Sequence, residues 1–164
     1  MAGRARLSGM KLPLDIPSLT VEHLVERISS TDVAPGAGGA GAVALALAAA
    51  CAGKAVGISL EHSPDDAQLQ EARASFAQIA NLALTDADRD AAAFAAFIRK
   101  RDPAAVNRLI HEGEHVAGLI AALAEGIALV ESRIRPNLTG DVAAARALLD
   151  AARCIQRRNE AEVR

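Results

Sequence analysis

The chain has 164 residues, one domain's worth, of which 51% are hydrophobic, 23% charged and only 2% aromatic. Alanine fills about a quarter of the positions, a composition that favours helix and excludes intrinsic disorder, a collagen-like repeat and an all-β fold. The net charge is −2, three Phe are the only aromatic residues and no polybasic stripe occurs, so the footprint expected of a nucleic-acid-binding protein is missing.

Residues 1–19 are set apart as an N-terminal extension, and 20–164 as a single helical domain. The extension carries positive charge with no apolar run behind it, unlike a secretory signal. Cys51 and Cys154 lie far apart and form no CxxC motif. They are expected to be buried, reduced thiols of a cytoplasmic protein. The uncharged run from Val33 to Gly53 approaches the roughly 20 residues that span a membrane. It is rich in Ala and Gly rather than Leu, and Lys54 follows it. A buried core helix is expected there, and no membrane contact.

The elements follow in order. Thr20 to Ile28 is a short amphipathic helix with Thr20 as N-cap and Val21, Leu24, Val25 and Ile28 on one face. Ser29–Gly41 collects turn-formers and reads as a loop. Gly41 to about Leu60 is a helix apolar nearly all round, hence buried on most sides, with Gly53 and Gly57 allowing close backbone approach. Ser63-Pro64-Asp65-Asp66 is a helix start. The helix it opens places Leu69, Ala72, Phe76, Ile79 and Ala83 on one face and runs on to about Arg99. Asp102-Pro103 repeats the signal for a helix reaching Val130, and Arg135-Pro136-Asn137 ends that helix. Thr139 or Asp141 opens the last one, with Val142, Ala145, Leu149 and Ala152 inward. The expected fold is all-α, a bundle of about five helices joined by short loops.

Four motifs bear on chemistry. His111-Glu-Gly-Glu-His115 fits HExxH, which on a helix directs two His to one zinc with Glu112 as general base. The next acidic candidate on that helix, Glu131, lies about 24 Å beyond His115 at 1.5 Å per residue, so no third ligand is at hand. An exposed polar face is the simpler expectation. Asp86-Ala-Asp88-Arg-Asp90 begins like a calcium loop, but Ala91 and Phe97 stand where the loop needs Gly and Glu. Asp86 and Asp88 are then expected on a solvated helix face, while Asp90 heads an apolar run. Pro35-Gly-Ala-Gly-Gly39 precedes a helix, whose first N–H groups can hold an anion. It matches neither a P-loop nor a dinucleotide fingerprint. Asn137 and Asp141 flank the start of the last helix and can simply cap it.

Taken together, these segments resemble the cyclodeaminase/cyclohydrolase family, which comprises the C-terminal domain of formiminotransferase-cyclodeaminase and methenyltetrahydrofolate cyclohydrolase. Thr20-Val-Glu-His-Leu-Val-Glu26, then Ala34-Pro-Gly-Ala-Gly-Gly39, is similar to that family's SVEEFLE and TPGGGS. Asp90-Ala-Ala-Ala-Phe94 resembles its DxxAF. Pro136-Asn137 to Asp141, Leu148-Leu-Asp-Ala-Ala152 and Asn159 resemble its NPNxxSDxG, LLEAA and N. The resemblance covers about residues 20–159. It implies an all-helical homodimer that acts, without a further cofactor, on a tetrahydrofolate derivative. Such an enzyme adds water to a methenyl carbon, or closes a formimino group and expels ammonia. By position, Asp90 and Asp141 are the implied catalytic residues, and Gly36, Gly38, Gly39 and Asn137 the implied ligand-binding ones. Ala34, Ala37 and Gly140 depart from the family pattern, and no lysine stands near Glu61-His62-Ser63. The alternative is a catalytically silent dimer that binds a ligand or a protein. A zinc hydrolase built on HExxH is a distant third.

Overall fold

The structure, a computed structural model, describes residues 14–100 and 103–163. Five α-helices carry the described residues: α1 (Val21–Ser29), α2 (Ala37–Leu60), α3 (Ala67–Lys100), α4 (Pro103–Val130) and α5 (Thr139–Val163). Single 3-10 turns at Ile16–Ser18, Glu131–Arg133 and Pro136–Leu138 complete it, and no strand occurs among the described residues. The fold is all-α, as the periodicity predicts.

Helices α2 to α5 run up, down, up and down. Cross-helix neighbours give the directions. Gly38 meets Asp90 while Gly53 meets Phe76, so α3 is antiparallel to α2. Asp86 meets His115 while Phe76 meets Gly126, so α4 opposes α3. Gly41 faces Ile155 while Lys54 pairs with Asp141, so α5 opposes α2. The connections are short, the usual cause of antiparallel neighbours.

Helix α2 is the spine of the core. Leu45, Ala48, Ala49, Ala52, Ala55 and Val56 are all but solvent-free, and they meet the expected inward faces of α3 and α5. Leu69, Ala72, Phe76, Ile79 and Ala83 of α3 are buried, as are Val142, Ala145, Leu149 and Ala152 of α5. Small side chains on α2 let both neighbours come close. The tight point against α5 is Gly41, where an added Cβ would stand 2.9 Å from Ile155 Cγ2. At Gly53 and Gly57, the expected points of approach, the nearest atoms would be at an ordinary 3.8 Å.

Two helix starts differ from expectation. Helix α3 begins at Ala67 rather than at Ser63-Pro64, because Asp66 is its cap. Asp66 Oδ1 accepts the N–H groups of Gln68 and Leu69 at 3.1 and 3.2 Å, and its other oxygen holds Arg133 at 2.8 Å. The Leu69 bond, helped by Arg133, keeps the Asp66 carboxyl below its usual pKa. Helix α2 begins at Ala37, four residues before Gly41, so most of the glycine-rich turn is helix. Asp102 lies outside the described residues.

Thr20 caps α1 as expected, its Oγ1 accepting the His23 N–H at 3.2 Å. Nothing in α1 is buried: Val21 is 79% and Val25 60% exposed. The segment before α1 is anchored by the Ile16 N–H, which donates to Asp88 Oδ1 of α3 at 2.9 Å. Leu14 and Ile16 pack there with Ala34, Ala42, Ala87 and Ala91 in a second, smaller core. Two stretches, Ala37–Leu60 and Pro103–Arg133, are long and apolar enough to cross a membrane, and the bundle covers half of the first.

Candidate functional site

Gly36 is the N-cap of α2 and has no side chain to offer its free N–H groups. The missing acceptor comes from α3. The Asp90 carboxylate receives the Gly39 N–H and lies against Gly38 so closely that a Cβ there would stand inside the carboxyl group. Gly38 is therefore the residue that lets an acid approach the helix end. The acid and the helix N-terminus attract each other, yet burial dominates. Burial, and then the charge of Glu112 on α4, raise the Asp90 pKa to about 6 against the pull of the Gly39 bond. A carboxyl poised there can both give and take a proton near neutrality.

Asp90 opens onto a cavity of about 280 Å³ at one end of the bundle. All four long helices and the turn before α2 contribute to it. Ala34, Ala91, Phe94, Phe97, Ile98, Leu109 and Ile110 form its apolar walls. Phe94 and Phe97 stand with ring centroids 6.3 Å apart, tilted by 36°. Of the three phenylalanines, Phe76 is in the core and the other two line the cavity. Gln156 and Asn159 of α5 add amides, and Glu114, Glu160 and Glu162 add carboxylates. Gln156 is fixed by its amide nitrogen, which donates to the Gly113 carbonyl at 2.8 Å and to Glu160 at 3.1 Å. Such an apolar cleft with a few convergent polar groups and a perturbed acid is the form that small-molecule sites take. Gln156 stands in no motif, and only the packing of α5 on α4 reveals it.

Of the six implied site residues, Gly36, Gly38 and Asp90 line the cavity, and Gly39 binds Asp90 through its N–H. Asp141 and Asn137 are at the other end of the bundle. Asp141 bonds Lys54 at 3.0 Å, and Asn137 is exposed in a 3-10 turn. Lys54 lies sixteen residues along α2 from Gly38, about 24 Å at 1.5 Å per residue. One copy of the chain does not bring the two acids together.

The other motifs resolve differently. Asp86 is not on a solvated face; it is fully buried. It accepts from His115 Nδ1 at 2.8 Å and from Arg89 at 3.3 Å, tying α3 to α4. Nor is Asp88 free, since it holds Ile16. His115 is thus committed to Asp86 while His111 is exposed. Among the described residues, no three His, Cys, Asp or Glu side chains converge as a metal ligand set. Both cysteines are free thiols, but Cys154 is exposed and Cys51 only half-buried, against the expectation of two buried thiols.

The family model for formiminotransferase-cyclodeaminase matches residues 20–156. The chain belongs to this family. Its members are associated with folate metabolism, and the matched span takes in the whole of the α1–α4 framework and most of α5. No curated protein matches the chain.

Proposed function

We propose that this family member is a folate one-carbon enzyme. It hydrolyses or interconverts the amidine C–N bonds of a methenyl- or formimino-tetrahydrofolate, with the reacting ring system in the Asp90 cavity. The observation that carries this reading is Asp90 itself, an acid near pKa 6 facing a largely apolar cleft beside a helix N-terminus. In the hydrolytic direction, the Asp90 carboxylate takes a proton from water as its oxygen bonds to the methenyl carbon. The tetrahedral carbon then expels one ring nitrogen, which takes the proton back from Asp90, while the hydroxyl on that carbon loses its proton to solvent and becomes the carbonyl of the formyl product. In the cyclising direction, the second folate nitrogen bonds to the formimino carbon. Asp90 carries its proton to the departing amino group, which leaves as ammonia. Carboxylate charge beside the cationic amidine favours both steps.

A homodimer fits this reading. Ala40, Val43, Leu47, Ala50 and Lys54 fall on one face of α2, and Leu47 in its middle is 52% exposed. A second copy laid antiparallel on this face about Leu47 would bring its own Asp141 to the Asp90 end of the first. The remaining class, a silent dimeric binding module, is separated from the enzyme by one assay. Methenyltetrahydrofolate absorbs light on its own, so its loss is followed directly. Purified protein is expected to accelerate that loss above the buffer rate, and Asp90→Asn to abolish the acceleration. Absence of acceleration, with no thermal shift from folates, sinks the enzyme reading.

A further inference from the structure

The acidic run Asp86-Ala-Asp88-Arg-Asp90 fastens three elements to α3. Asp86 ties α4 through His115, and Asp90 receives the Gly39 N–H at the start of α2. At about 3.6 residues per turn, Asp88 falls on the far side of the helix from both. It accepts the Ile16 N–H at 2.9 Å. Among the described residues, the other hydrogen bonds of the 14–19 segment stay inside its own 3-10 turn. Leu14 and Ile16 are buried there against Ala42 of α2 and Ala87 and Ala91 of α3. Two contacts carry this segment to the cavity. Ile16 Cδ1 lies 3.9 Å from where a Cβ of Gly39 would stand, and Pro35 Cβ lies 3.2 Å from it, so these two side chains close the space beside Gly39. Ala34 packs with Leu14 and Ile16 and also lines the cavity. The turn that gives Asp90 its N–H donor is thus backed by a segment that precedes the span matched by the family model.

We propose that Asp88 is a positioning residue: by holding Ile16 it keeps the 14–19 segment pressed behind Ala34 and Gly39, and so fixes the Gly39 N–H against the Asp90 carboxylate. Without that acceptor the Ile16 N–H must go unpaired or turn to water, and either one loosens the segment. Ile16 then withdraws from Gly39. The first turn of α2 has no side-chain cap of its own, so it opens locally and Asp90 loses its place. A reacting group misplaced by about 1 Å can cost roughly a hundredfold in rate. The kinetic consequence rests on Asp90 as the proton carrier of the function proposed above. The fixing of the turn does not, and is read without any ligand.

Amide hydrogen exchange by NMR on the full chain tests it. Leu123, in the core of α4, reports global stability, and Gly39 reports the turn. In Asp88→Ala, Gly39 is expected to lose roughly tenfold more protection than Leu123. Asp88→Asn keeps a carbonyl acceptor and should restore the wild-type pattern. Ile16→Ala keeps the bond but removes the side chain from Gly39, so it should reproduce the loss at Gly39, and it serves as the test should Asp88→Ala not fold. A loss at Gly39 no greater than that at Leu123 is the mark of a merely structural role and overturns the proposal, as does failure of Asp88→Asn to restore the pattern. With methenyltetrahydrofolate, the kcat of Asp88→Ala is expected to fall roughly tenfold while KM stays within about threefold. A loosened Gly39 with unchanged kcat in an otherwise active enzyme also overturns it. The two readings fail separately. A wild type without turnover sinks the enzyme reading and leaves the exchange data to decide whether Asp88 fixes the turn. An active wild type whose Gly39 ignores Asp88 keeps the enzyme and sinks the positioning role.

Discussion

Asp90 holds a charge in a place that resists it, and the resistance is measurable. Its pKa rises from 3.8 unfolded to about 6 folded. Below about pH 3.8 both states keep the proton and this group costs nothing. As pH rises towards 6 the unfolded chain loses its proton first, so the group's contribution to folding is lost through that window. Above pH 6 the penalty is complete, on the order of 2–3 kcal/mol. Asp90→Asn keeps an acceptor for the Gly39 N–H and removes the charge. It is expected to abolish turnover while raising the urea midpoint at pH 7.5, and to remove the fall in stability between pH 4 and 6. A variant that loses activity and stability together at neutral pH would contradict this. In the wild type, kcat/KM is expected to fall as pH drops through about 6, when the carboxylate takes a proton and ceases to be a base. Gly38→Ala is the steric counterpart. The new methyl group displaces the carboxyl, so activity should drop at least a hundredfold with helicity by circular dichroism retained.

At the scale of elements, single polar contacts fix where helices lie. Ser59 of α2 is buried, donates to the Ala55 carbonyl at 2.9 Å and accepts the Arg135 N–H at 3.2 Å. That bond holds the α4–α5 connection against the end of α2. Ser59→Ala leaves the Arg135 N–H without this partner and is expected to cost about 1–2 kcal/mol in chemical denaturation. Asp86 plays the same part between α3 and α4. His115→Ala leaves a buried carboxylate with Arg89 alone and is expected to cost about 1–3 kcal/mol. The long helices were legible because apolar spacing reports burial directly, as Leu69, Phe76 and Ile79 illustrate. The start of α2 was not. Its capping acceptor comes from Asp90, more than fifty residues away, so no local signal marks Gly36 as a cap. Asp86 and Asp88 were misread for a related reason. An acid in a helix looks solvated until the element packed against it supplies a histidine or a backbone N–H.

At the scale of the whole molecule, the two implied catalytic acids occupy opposite ends of a bundle. The resemblance implies both acids from their order in the sequence, and that order carries no information about which end of an antiparallel array each reaches. The two-fold pairing about Leu47 proposed above would reunite them between copies. Leu47→Glu is expected to convert a dimer to a monomer by light scattering and to lower activity with it. Mixing inactive Asp90→Asn and Asp141→Asn chains should restore part of the activity, because one of the two sites of a mixed dimer carries both acids. Restoration that fails while mixed dimers form would show that each copy works alone. The few aromatic residues are concentrated at the cavity. Two of the three rings stand together on the wall where a flat ligand would lie.

That arrangement has an optical consequence. The chain contains no Trp and no Tyr, so it is dark in the near-ultraviolet window where most proteins glow. Phe97→Trp would install a solitary emitter beside the neighbouring ring and within reach of Asp90. Occupancy of the cleft, and the protonation of its acid, would then be readable as a colour and brightness of one indole, with nothing elsewhere in the molecule to subtract.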